Sequence, residues 1–198
     1  MSFFRFSLIK VLLVLLGVSL VVSAAGGVLP SRVAATPIAQ ASTANLPPLL
    51  RGILPQLKRD TRIPILLPSQ MPPFPFVEDS RIAQARGSRD EYFILLTAPD
   101  RCLDEAMCFA GILRGRRGEQ PNSRIFRQEV RLARRITGYY RPLLCASDAF
   151  ASCAWPAIQW VDRSVLYEME FWLPDYTVED YQAAMVQAAN SAINAGAR

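Results

Sequence analysis

Apolar and polar residues alternate most regularly near the C-terminal end of the chain. Val165, Tyr167, Met169, Phe171 and Leu173 fall on one side of an extended chain, and Glu168 and Glu170 on the other. A period of two predicts a β-strand with one apolar face. Upstream, Ile158 and Trp160 belong to a second apolar run, and Asp162, Arg163 and Ser164 supply turn residues between the two. The pair therefore reads as a hairpin with a short loop. Residues 91–97 (EYFILLT) and 106–113 (AMCFAGIL) read as buried strands separated by the polar loop PDRCLDE. Residues 63–67 (IPILL) read as a short strand, with Pro64 suited to an edge or first position. The prolines of SQMPPFPF, 69–76, have no N–H to offer a ladder and predict an irregular crossing.

The period changes after the hairpin. Val178, Tyr181, Met185, Ala188, Ala189 and Ala192 form an apolar stripe at helical spacing. Thr177 is placed to cap that helix with Asp180 three residues on, and Gly196 to stop it. Residues 124–137 fit two patterns: Phe126, Val130, Ala133 and Thr137 at helical spacing, or Phe126, Val130, Leu132 and Ile136 in alternation. Aromatic and β-branched content, with Tyr139 and Tyr140 directly following, favours strand. Residues 115–123 (GRRGEQPNS) read as an exposed turn. The expected fold is α+β: a mostly antiparallel, strongly twisted sheet with a C-terminal helix packed across it.

The first residues follow different rules. Arg5 and Lys10 precede a twelve-residue apolar run from Val11 to Val22, and the small residues Ser23, Ala24 and Ala25 come next. This is the layout of a secretory signal peptide over 1–25, short for a span that needs about 20 apolar residues. An uncleaved anchor over 6–25 is the other reading, and the only route by which a membrane is expected to hold the chain. Residues 26–60, rich in Ala, Pro, Ser and Thr, read as a linker with one short helix around 49–57, and 61–198 as a single α+β domain.

Charge divides the chain by region. Residues 81–141 hold 13 basic and 7 acidic side chains, whereas 142–198 hold 2 and 7, so a basic middle faces an acidic end. Two such regions can neutralise each other on folding, and no nucleic-acid partner is expected from the net charge of +5. The candidate anion-binding residues are Arg114, Arg116, Arg117, Arg124, Arg127, Arg131, Arg134, Arg135 and Arg141, followed by Tyr139 and Tyr140 as stacking surfaces. The alternative for this block is a salt-bridged face turned toward the acidic end.

The sequence contains no histidine, which excludes Ser–His and Cys–His nucleophile systems and every His-ligated metal site. Cys102 and Cys108 are spaced C-x5-C, and Cys145 and Cys153 C-x7-C, neither of them the C-x2-C of a zinc or redox site. In an exported chain the four predict disulfides, with the two local pairs favoured at about 2–3 kcal/mol each and pairing between the groups the alternative. Glu168 and Glu170 share a strand face about 7 Å apart, within the range used by the acid and base of an inverting glycosidase. Two glutamates alternating with apolar residues are, however, ordinarily a solvated sheet face. Asp100, Asp104 and Glu105 could offer oxygen ligands to a hard cation but lack the spacing of a calcium loop. Trp155, Trp160 and Trp172 could form a platform for carbohydrate, Trp160 reading as core and Trp172 as lying on the glutamate side. No cofactor or metal is expected.

Over 62–192 the run IPILLPS…YFILL…C…C…RITGYYRP…C…C…IQW…LYEMEFW resembles a group of uncharacterised exported proteins of cyanobacteria. More distantly, the spacing of Trp160 and Tyr167 before a Tyr/Ala-rich helix is similar to a domain of unknown function in bacterial lipoproteins and membrane-tethered anti-sigma-type proteins. The resemblance implies an α+β domain outside the cytoplasm, periplasmic or extracellular, and brings no catalytic residues with it. The leading expectation is a non-catalytic envelope domain that binds or positions another envelope component. The alternatives are an arginine-mediated binder of anionic envelope polymer and a carboxylate-dependent glycan hydrolase.

Overall fold

A computed structural model of the chain describes residues 45–72, 82–97, 109–145, 153–173 and 177–198. The expected signal segment, most of the linker, Cys102, Cys108 and the acidic loop Asp100, Asp104 and Glu105 lie outside these residues. The fold is α+β, as the sequence pattern predicts. Seven strands form one antiparallel sheet: β1 Ile82–Ser88, β2 Glu91–Thr97, β3 Phe109–Arg117, β4 Gln128–Arg131, β5 Thr137–Arg141, β8 Ala157–Asp162 and β9 Val165–Phe171. Their order across the sheet is β1-β2-β3-β9-β8-β5-β4, so the hairpin of the last two strands lies in the middle. A two-stranded ribbon, β6 Leu144–Cys145 and β7 Cys153–Ala154, is closed by the Cys145–Cys153 disulfide, one of the two local pairs expected.

The central hairpin turns where Arg163 and Ser164 both adopt positive φ, 50° and 64°, the conformation of a tight two-residue hairpin turn. Val165, Tyr167, Met169 and Phe171 are buried on one sheet face, as alternation predicts. Helix α3, Val178–Ala195, covers part of that face with Tyr181, Met185, Ala188, Ala189, Ala192 and Ile193, all buried. The Thr177 side chain accepts from the Asp180 N–H, and Gly196 at φ 79° ends the helix.

Residues 63–67 bury Ile63, Ile65, Leu66 and Leu67, but form no strand. Their fixed points are side chains: the Tyr92 hydroxyl donates to the Leu66 carbonyl and the Tyr167 hydroxyl to that of Pro64, each at 2.9 Å. Gly115 sits between those two tyrosines in the sheet register, and a Cβ there would come within 2.6 Å of the Tyr92 ring. A glycine thus lets two aromatic rings stand side by side and pin a non-strand segment across the sheet. Where one short helix is expected around 49–57, two are found. Helices α1, Pro48–Arg51, and α2, Leu54–Asp60, bury Leu50, Leu54 and Leu57 in the same core, with Leu46 just before them. The folded unit therefore begins before Thr61. Among the described residues no helix is long and apolar enough to cross a membrane.

Residues 124–137 follow the strand reading in part and hold no α-helix. A short strand, β4, is followed by a single 3-10 turn, Ala133–Arg135, and then by β5. Arg134 and Arg135 hold positive φ of 55° and 62°, which ends the extended run.

Candidate functional site

The second sheet face is polar, and its register brings distant charges into line. One row runs Arg86, Phe93, Arg114, Glu168, Gln159, Tyr139, Glu129 across all seven strands. At its centre Glu168 is 2% exposed. It accepts from Arg114 Nη2 at 2.5 Å and Gln159 Nε2 at 2.6 Å, with Arg116 Nη2 at 3.7 Å. Burial disfavours the Arg114 charge, but the hydrogen bond and charge of Glu168 outweigh it and raise the guanidinium's proton affinity. In the next row Ala157 stands between Arg141 and Glu170, and over that small side chain Arg141 Nη2 reaches Glu170 Oε2 at 2.9 Å. Burial raises the Glu170 pKa, against the opposing pull of Arg141.

Residues 118–127 close over this face. Glu119 pairs with Arg116 at 2.7 Å, the Asn122 N–H donates to Gln159 Oε1 at 3.3 Å, and the buried Phe126 ring lies 5.2 Å from the Arg141 guanidinium. Glu168 and Glu170 do share a face, but that face is covered and internally neutralised, not solvated. A glycosidase needs one carboxyl to reach a leaving group and the other to reach water. Here each is held by guanidinium groups. The charges instead link β3 to β9 and β5 to β9 across the face.

The nine arginines named from the sequence divide into two groups. Arg114, Arg116 and Arg141 hold the buried glutamates, and Arg117 pairs with Asp90 at 2.9 Å. Arg124, Arg127, Arg131, Arg134 and Arg135 are exposed, and none has a carboxylate at ion-pair distance among the described residues. These five lie on or beside β4, one of the two edge strands, which among the described residues pairs only with β5. The 3-10 turn that follows is tied to α3: the Ala133 N–H donates to Asn190 Oδ1 at 2.6 Å, and Arg134 Nη2 donates to the Asn194 carbonyl at 3.3 Å. Two consecutive left-handed arginines cost roughly 1–2 kcal/mol each relative to right-handed backbone.

The aromatic candidates separate too. Tyr140 faces the core, where burial pushes its pKa up to about 12, and Tyr139 lies half-buried on the polar face. Trp160 is buried against Tyr167 with ring centroids 5.5 Å apart, while Trp155 packs 5.9 Å from Trp172 and 6.5 Å from Phe109. The three tryptophans therefore form no single platform.

A groove of about 720 Å³ opens between α3 and residues 69–70, and its lining includes Gln70, Gln187, Asn190 and Asn194. Gln187 Nε2 donates to Gln70 Oε1 at 3.2 Å, and Ser191 Oγ bonds both the N–H and the carbonyl of Gln70. The sequence signal for it is a helix without a charged residue between Asp180 and Arg198. Among the described residues no group of three carboxylate or thiol side chains could hold a metal ion. The chain matches no protein-family model, no curated protein and no solved structure.

Proposed function

We propose that the protein is an exported, non-catalytic domain that binds or positions another component of the cell envelope. What carries the proposal is the division of its arginines. The carboxylates suited to acid–base work are covered and neutralised by one group, while the other group stands in solvent along a sheet edge. The Cys145–Cys153 disulfide supports an oxidising compartment, where such bonds persist. Export is also what the signal-like layout of 1–25 implies.

The test is sedimentation of the purified, disulfide-bonded chain with washed envelopes from the producing cells, with soluble sugars and peptides assayed in the supernatant. Association without release of fragments is the expected result. Fragment release that disappears in Glu170→Gln would make the protein a hydrolase, and absence of association at low salt would remove the binding role.

A further inference from the structure

The geometry points to β4 as the docking edge for an acidic, extended segment of a partner polypeptide, which would add to the sheet as its next strand; this rests on the binding role proposed above. Two independent features meet on this strand. The first is backbone. β4 pairs with β5 on one side, and among the described residues no strand lies beyond it. Gln128, Glu129 and Arg131 are exposed, and the outward N–H and C=O groups of an edge strand are the ones an added strand pairs with. The second is charge. Arg124 and Arg127 precede the strand, Arg131 lies within it, and Arg134 and Arg135 follow it, while Glu129 is the single acidic residue between 120 and 136.

Four residues of strand span about 13 Å, and the five exposed arginines are distributed on this strand and on the segments that flank it. An extended chain with acidic residues at alternate positions presents charge every 6–7 Å or so, on one side of a backbone able to complete the ladder. A phosphate polymer or an anionic lipid surface would engage the guanidinium groups and leave the ladder groups unused. Protection of the edge against aggregation does not require so many charges. Charge on the strand itself serves that purpose, whereas four of the five arginines flank the strand. The left-handed turn adds to this. Glycine or asparagine would sit there more easily, yet two arginines do, on a turn anchored to α3 through Asn190 and Asn194.

The experiment uses the whole disulfide-bonded chain and three probes: a synthetic peptide of alternating glutamate and threonine, the same peptide N-methylated at alternate amides, and long-chain polyphosphate. The unmodified peptide is expected to bind, to weaken as salt rises, and to weaken about tenfold when the amides on its docking side are methylated, since about two ladder hydrogen bonds are lost. Arg131→Gln with Arg135→Gln should weaken the peptide and envelope sedimentation together, with circular dichroism and the unfolding midpoint unchanged. Equal binding of the methylated and unmodified peptides, or tight arginine-dependent binding of polyphosphate alone, would overturn strand addition while leaving the binding role intact. Envelope association that survives the double substitution would move the docking site elsewhere. Loss of association by the unsubstituted chain would instead defeat the binding role itself.

Discussion

The polar sheet face and the β4 edge both contain arginine, and they use it in opposite ways. On the face, Arg114, Arg116 and Arg141 surround Glu168 and Glu170 beneath residues 118–127. On the edge, Arg131, Arg134 and Arg135 have no such partner among the described residues and stand in solvent. A charge taken out of water must be matched, because desolvation is expensive and removal of either partner strands the other. A charge left in water carries little penalty and is open to a new partner. Residue type and local density do not separate the groups; sheet register does.

Breaking the covered group should have the largest effect. Glu168→Ala leaves Arg114, Arg116 and Gln159 facing an empty acceptor position, and a loss of about 3 kcal/mol is expected in denaturant unfolding. A loss below about 1 kcal/mol would mean that the face is wetter than its burial indicates. Replacing Cys145 and Cys153 by serine should lower stability by about 2–3 kcal/mol, less than proteins with longer bridged loops lose, and mass spectrometry of the native chain should find this pair oxidised. Arg135→Gly addresses the edge: relief of the left-handed backbone is expected to stabilise by a few tenths to about 1 kcal/mol, after the greater freedom of glycine in the unfolded chain is subtracted. The same substitution should weaken envelope association, so stability and binding would move in opposite directions. A destabilised Arg135→Gly protein would show that the arginine side chain supports the turn.

The smallest expected effect concerns pH. The folded-state pKa of Glu170 is raised by burial, so the folded chain holds that proton more tightly than the unfolded one. The stabilising contribution is therefore complete below the unfolded pKa and is lost as pH rises through the folded pKa. Unfolding midpoints of Glu170→Gln and the unsubstituted chain, followed from acid to neutral pH, should shift in favour of the variant. A relative shift the other way would mean that Arg141 outweighs burial at this site.

The elements legible in the sequence are those whose local pattern agrees with their surroundings. Alternation in 165–171 and the capped, striped helix at 178–195 are each complete within their own residues. β1 was not legible: only Ala83, Ala85 and Gly87 face the core register opposite Leu96, Ile94 and Tyr92, so no large apolar residue marks its core face. Residues 63–67 were legible as buried but not as non-strand, because their partners are the hydroxyls of Tyr92 and Tyr167. Leu46, Leu50, Leu54 and Leu57 repeat at helical spacing, which makes the short helix around 49–57 legible, while the prolines among them hide its place in the core. A salt-bridged face is the alternative for the arginine block, but nothing in its local pattern marks which arginines belong to that face. Arg114 meets Glu168 only because β3 pairs with β9, and Arg124 has no counterpart there because its neighbours turn away to cover the face.

The place of β9 has a consequence for how the chain comes into being. β1 to β3 form one group and β4, β5 and β8 another, and in the completed sheet β9 alone joins them. Ribosomes deliver the N-terminal side first, so a chain halted before Val165 has both halves and no seam between them. Its Arg114 and Arg141 have been made, and the glutamates that neutralise them have not. Synthesis therefore keeps the sheet open until nearly the last strand, and a chain with such distant pairings is expected to close slowly.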